Sequence, residues 1–363
     1  MVPDDIGYWL GFNLVPGIGP KRLRALLDHC GEIGAAWHAN TATLRAAGLP
    51  QDAIEQLIAH RERLDLHAAL ARVQKLGIHL LTWPDPDYPP RLLQIDDPPP
   101  VLYVRGELTS EDEWSVAVVG TRSPSVYGKE MARQLATGLA EQGITVISGL
   151  ALGIDGIAHR AALDAGGRTL AVLGSGVDMV YPARHRELAR RICQNGALLS
   201  DYCLGTGPAA SNFPPRNRII SGLSLGTLIV EAGQKSGALI TLRYALEHDR
   251  ETFAVPGNIH NRTSTGTNQA IQRGEAKLVT CVEDILEELN LRTVVQQREV
   301  RQSVPTDPTE KALFAALSAE PLHIDELVRQ SGLPPAVVSS TLCLMELKGT
   351  VRRVDNMSYI VAH

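Results

Sequence analysis

The stretch Val116-Ala-Val-Val-Gly-Thr-Arg-Ser-Pro-Ser-Val-Tyr-Gly128 reads as a buried strand, a polar turn and the start of a helix. Val116 to Gly120 are all apolar or glycine, the pattern of a strand covered on both faces. The helix is predicted to begin near Ser125. In an open α/β sheet, ligands bind beyond the carboxyl ends of strands, where helices start. Backbone N–H groups there lack partners and favour anions. Arg122 adds a permanent cation whose planar fork suits phosphate. Taken alone, the stretch equally describes a βα turn that binds nothing, with Arg122 solvated.

Outward from it, strands and helices alternate to about Leu289. Strands are predicted at Ser115–Val119, Ile144–Ser148, Thr169–Leu173, Ala197–Ser200, Thr227–Val230, Thr252–Val255 and Lys277–Val279. Helices are predicted at Lys129–Glu141, Ile154–Ala165, Ala183–Asn195, Gly237–His248 and Thr267–Gln272. Such alternation implies an α/β class: a Rossmann-like, mainly parallel sheet with helices on both faces. The domain spans 81–290. Its first part, 81–110, is a proline-rich connector laid along the sheet, unable to be helical, with Val101-Leu-Tyr-Val104 as an edge strand.

Residues 1–80 form a separate, all-helical domain by pattern, with leucines at helix spacings. Pro16-Gly-Ile-Gly-Pro20 resembles the turn of a helix-hairpin-helix or SAM-like unit. It either approaches a phosphate or simply packs two helices. Residues 291–306 are polar and read as a linker. Residues 307–363 show helices at Thr309–Leu317, Ile324–Ser331 and Pro335–Leu347. A hairpin of Val351–Val354 and Met357–Val361 follows, the order of a winged helix.

The chain has 363 residues, 44% hydrophobic and 21% charged, an ordinary globular composition. No signal peptide or apolar membrane span is evident, so a cytoplasmic protein without membrane association is expected. Five scattered cysteines argue against disulfides and zinc. A net charge of -5 gives no bulk attraction to polyanions, so any such binding requires a local basic patch.

No Walker motif, full dinucleotide fingerprint, nucleophile elbow or metal cluster is present, so no catalytic residue, cofactor or metal is assigned. What remains is a set of Gly- and Ser-rich turns after strands. They are Gly120-Thr121-Arg122, Ser148-Gly149-Leu-Ala-Leu-Gly-Ile-Asp155, Gly174-Ser-Gly-Val-Asp178 and Glu231-Ala-Gly-Gln-Lys235-Ser236-Gly237-Ala-Leu-Ile-Thr241. Phe213-Pro-Pro-Arg216-Asn217-Arg218 precedes an apolar helix. Between Asp201 and Glu231 there is no acid, only Arg216 and Arg218. Acid-free turns with isolated cations make a focused positive patch suited to a chain of phosphates. Alternatively, Arg216 and Arg218 pair internally, for instance with Asp155 or Asp178. Phe213 either stacks a base, as sequence-tolerant single-strand binders do, or anchors the core.

Together these stretches resemble the DNA-processing protein A family (DprA, also called Smf). Val119-Gly-Thr-Arg-x-Pro, Ser148-Gly-Leu-Ala-x-Gly-Ile-Asp-x-x-Ala-His159 and Ala171-Val-Leu-Gly-x-Gly-x-Asp-x-x-Tyr-Pro182 carry the likeness. So do Phe213-Pro-x-Arg-Asn-Arg-Ile-Ile220, Val230-Glu-Ala232, Ser236-Gly237, Ala254-Val-Pro-Gly257 and Gly266-Thr-Asn268. The resemblance implies sequence-independent binding of single-stranded DNA, homodimerisation, and protection of incoming DNA. It also implies loading of the RecA recombinase in natural transformation. Thr121 stands where serine is more usual and Asp201 where glutamate is, and the loop 206–211 lacks a lysine.

Two other readings compete. Similar folds host nucleotide phosphoribohydrolases, and Ser221-Gly-Leu-Ser-Leu-Gly-Thr-Leu-Ile-Val-Glu231 keeps their Gly-Thr and a nearby Glu. A duplex-reading regulator would use Pro335 to Lys348. That stretch has one basic residue, at its end, and no Arg, Asn or Gln to read base edges.

Overall fold

Nine strands build the main sheet: β1 (Ile78–Thr82), β2 (Val101–Gly106), β3 (Ser115–Val119), β4 (Thr145–Ser148), β5 (Thr169–Val172), β6 (Gly196–Ser200), β7 (Gly226–Ile229), β8 (Glu251–Ala254) and β9 (Lys277–Leu278). Their order across the sheet is β1-β2-β6-β5-β4-β3-β7-β8-β9. The computed structural model describes residues 5–291, 307–317, 321–347, 351–355 and 357–361. Strands β3 to β9 pair in parallel, while β2 runs antiparallel to both β1 and β6. The Rossmann-like class follows from the sequence as read.

Chain progression reverses at β3. From there β4, β5 and β6 step one way, whereas β7, β8 and β9 step the other. The carboxyl end of β3 is therefore a topological switch point, the position where such sheets open a crevice.

Strand periodicity divides the core. Tyr103, Ala171 and Leu198 point to one face, where they pack with Leu10, Phe12 and Leu26 of the N-terminal helices. Their neighbours Leu102, Val104, Leu170, Val172, Ala197 and Leu199 point to the other, with Leu92, Ile219 and Ile220. Residues 1–289 thus group as one compact unit, with the N-terminal helices as a layer on the sheet. Asn13 fastens that layer. Tyr103 donates to its Oδ1 at 2.8 Å, Cys203 Sγ donates to the same oxygen at 3.0 Å, and Asn13 Nδ2 donates to the Asp201 carbonyl.

Three expectations need correction. Val101–Val104 is not an edge strand: Ile78–Thr82 lies outside it, and it pairs on both sides. The proline-rich stretch does hold a helical turn, Pro90–Leu93, with Pro90 at its first position, where no N–H is needed. The helix expected after Arg218 begins at Phe213, because Pro214 and Pro215 occupy its opening turn. That proline-rich stretch is pinned down by Trp83 Nε1 and Tyr88 Oη, which both donate to the Pro99 carbonyl.

Residues 290–363 form the second unit. Helices Pro308–Ala316, Ile324–Ser331 and Pro335–Leu347 surround Leu313, Leu327, Val338, Leu342 and Met345. The middle helix ends on Gly332 at φ +67°. Strands β10 (Leu322–His323), β11 (Val351–Asp355) and β12 (Ser358–Val361) complete a winged helix in the order β10-β12-β11. The expected linker 291–306, beyond Leu291, and Lys348 at the end of the third helix lie outside the described residues. Among those described, no helix is long and apolar enough to cross a membrane.

Candidate nucleic-acid interface

A cleft of about 480 Å³ opens at the carboxyl end of β3. Gly120, Thr121 and Arg122 form one wall. Phe213, Arg216, Asn217 and Ile220, from the helix Phe213–Leu223, form a second. The third is Ser236, Gly237 and the first turn of helix Ala238–Glu247. Their positions follow from local structure. Gly120 lies where a Cβ would press on Ile154 and on the Glu231 carbonyl, so only glycine lets the turn close. Thr121 N donates to the Glu231 carbonyl at 2.7 Å, and the Thr121 carbonyl accepts from Ile154 N. Phe213, Asn217 and Ile220 stand at i, i+4 and i+7, one stripe of their helix.

Arg122 is exposed, and its guanidinium lies over the Phe213 ring, 5.2 Å from the centroid. Phe213 is half-buried and outside the described core clusters. Tyr181 stacks on it at 6.0 Å with planes 30° apart. The cleft therefore presents a cation resting on an aromatic ring, with a helix N-terminus opposite.

The two arginines of the Phe213 motif do different things. Arg216 is 4% exposed and forms the back wall. It donates to the Gly149 carbonyl at 2.8 Å and to the Val172 carbonyl. Burial pulls its pKa down to about 10, opposed by Asp155, so it remains charged at neutral pH. Asp155 accepts from Gly149 N and Ala151 N. Burial pushes its pKa up, against the pull of Arg216. Arg218, 6% exposed, points away from the cleft and bridges Asp97 at 3.0 Å and Asp201 at 2.9 Å. The internal pairing foreseen as an alternative occurs for Arg218, with Asp97 and Asp201 rather than Asp155 or Asp178.

Of the remaining sequence candidates, Ser148 is buried behind the wall and donates to the Val118 carbonyl at 2.6 Å. Gly149 is packed so tightly that a Cβ would come within 2.6 Å of the Arg216 guanidinium. Both hold the loop in place and do not line the cleft. Lys235 is exposed beside Ser236, outside the lining. Sequence reading missed Pro214, Ile220 and Thr241 as wall residues. Starting the helix at Phe213 and following its i+4 and i+7 positions would have found Ile220.

A family model described as DNA recombination-mediator protein A matches residues 79–290, and a DprA winged helix domain model matches residues 297–357. The chain belongs to this family. Protein Smf of Synechocystis sp. is 34% identical over 99% of this chain and 99% of its own length. The solved DNA processing protein A (DprA) of Streptococcus pneumoniae superposes with a TM-score of 0.69. It is 33% identical and covers 78% of this chain and 97% of its own. The DNA processing protein A of Helicobacter pylori, solved in a study of its single-stranded DNA binding mode, gives a TM-score of 0.54. It is 30% identical over 59% of this chain and 96% of its own. The family model for the recombination mediator begins at residue 79, within β1, so it takes in all but the first residue of the sheet and every wall of the cleft.

Proposed function

We propose that this DprA-family chain binds single-stranded DNA without sequence preference at the β3 cleft. In doing so it protects incoming DNA and, as a homodimer, helps load the RecA recombinase during natural transformation. The observation that carries the reading is Arg122 held over Phe213 beside the Gly120 turn, with the helix start at Gly237 opposite. A guanidinium takes a phosphate whatever base it carries, and the ring beneath holds that guanidinium at the rim, an arrangement indifferent to sequence. The single-stranded DNA binding mode named for the Helicobacter pylori relative supports it.

The phosphoribohydrolase reading draws no support from Glu231. That carboxylate is 2% exposed, lies outside the cleft lining, and accepts from Ser125 N, Ser125 Oγ and Thr263 Oγ1. We therefore read the chain as a mediator without turnover of its own. The test is fluorescence anisotropy with oligo-dT and a duplex of equal length at two salt concentrations, on the intact chain and on Arg122→Ala. Tighter binding to oligo-dT is expected, and it should weaken with salt as counterions are released. The variant should bind oligo-dT and mixed sequences equally less well, with a shallower salt slope. Equal affinity for duplex, or an unchanged Arg122→Ala, would overturn the assignment.

A further inference from the structure

A second depression, of about 700 Å³, adjoins the cleft and shares Arg122 with it. Lys129, Arg160 and Arg184 also line it, and no carboxylate does. All four cations are exposed. They come from separate places in the chain: the turn after β3, the first turns of helix Val126–Glu141, helix Ile154–Asp164, and the short turn Ala183–His185. Three exposed acids on or beside these elements form ion pairs with other arginines. Glu130 pairs with Arg133, Glu187 with Arg190, and Asp164 with Arg191. Burial lowers the pKa of Arg160; Asp164 pulls the other way, and Arg184 and Arg191 add smaller repulsions.

Four exposed cations around a depression without a lining carboxylate make a local positive patch in a net-acidic chain, and such a patch favours a polyanion. Among the described residues no Phe, Tyr or Trp lines this depression, and its one ring, His185, is buried with Nδ1 held at the Leu150 carbonyl. It therefore suits backbone phosphates and offers no platform for bases.

We propose that a single strand leaving the β3 cleft passes over Arg122 and lays its next phosphates against Lys129, Arg160 and Arg184. The inference rests on the single-strand reading of the first cleft. It makes that site directional, with an aromatic-walled half and a phosphate-only half hinged on Arg122. The affinity of the protein then grows with oligonucleotide length until both halves are filled.

The experiment compares an oligo-dT length series on the intact chain, on Arg122→Ala, and on the double variant Arg160→Gln, Arg184→Gln. Both substituted arginines of the double variant are exposed, and a melting curve checks that it is folded. Each phosphate contact to a single strand adds about 0.7 to the salt slope. Loss of two contacts lowers the slope by about 1.4, which is about 25-fold in affinity at 0.1 M relative to 1 M salt. The double variant should lose that much on long oligomers and nothing on the shortest that bind. An equal loss at all lengths, or no loss at any length while Arg122→Ala is weakened, would overturn the second site and leave the first standing. No loss in Arg122→Ala would remove both.

Discussion

His159 is fully buried, with its Nδ1 2.7 Å from the Thr169 hydroxyl. Thr169 Oγ1 already donates to the Val146 carbonyl at 2.6 Å, so the ring nitrogen must be the donor. That fixes the Nδ1–H tautomer and leaves Nε2 as a buried acceptor without a partner. Burial, with the nearby cationic groups, lowers the pKa to about 3. The unfolded chain takes up a proton near pH 6.5, which the folded chain refuses until about 3. Stability contributed by neutral His159 is thus complete above about 6.5 and falls as pH drops through that window, on the order of 1 kcal/mol per pH unit. Melting curves between pH 7 and pH 4 should show this slope. His159→Gln, which cannot titrate, should lower the neutral-pH melting temperature and flatten the slope. An unchanged slope in the variant would assign the acid sensitivity to other groups.

At the scale of elements, the helix Phe213–Leu223 sorts its own residues. Successive residues turn by about 100°, so Arg216 and Arg218 stand about 200° apart and cannot face one cleft. Arg218 therefore belongs to the ion pair with Asp97 and Asp201. Arg218→Gln leaves Asp201, 17% exposed, without its partner and should cost up to about 3 kcal/mol. Urea unfolding should reveal it, whereas Arg122→Ala, exposed at the rim, should unfold with the midpoint of the intact chain. The same helix shows where sequence reading stopped short. A Pro-Pro pair reads as a helix breaker, yet the first turn of a helix has no use for those N–H groups. Once Phe213 was placed before the helix, the periodicity that separates Arg216 from Arg218 was invisible. Strands β3 to β6 were legible because parallel strands buried on both faces are largely apolar runs, here running into glycine or closing on serine. Ile78–Thr82 was not, since His79 and the prolines beyond Trp83 obscure it. No local pattern tells that Ser148 and Gly149 sit behind a wall, because the residue that covers them, Arg216, is 67 positions away from Gly149.

On the scale of the molecule, the chain folds as two units. The winged helix has its own core around Leu313, Leu342 and Met345. From Asp307 onward it carries seven acids against five Lys and Arg residues, so it offers phosphates little. A chain ending at residue 306 should therefore keep the oligo-dT affinity and salt slope of the full chain. A large loss in the anisotropy titration would show that the module contributes to holding DNA.

The fastening of the N-terminal helices by Asn13 has a consequence for synthesis. Asn13 and the Cys203 thiol it accepts from are 190 residues apart in the chain. At 5–20 residues per second, roughly 10–40 s separate their emergence from the ribosome. Throughout that interval Leu10, Phe12 and Leu26 have no Leu198 to pack against. The nascent helices must shelter their apolar side among themselves or beneath a chaperone, and the half of the sheet nearest them closes only when Ser200 and Cys203 emerge.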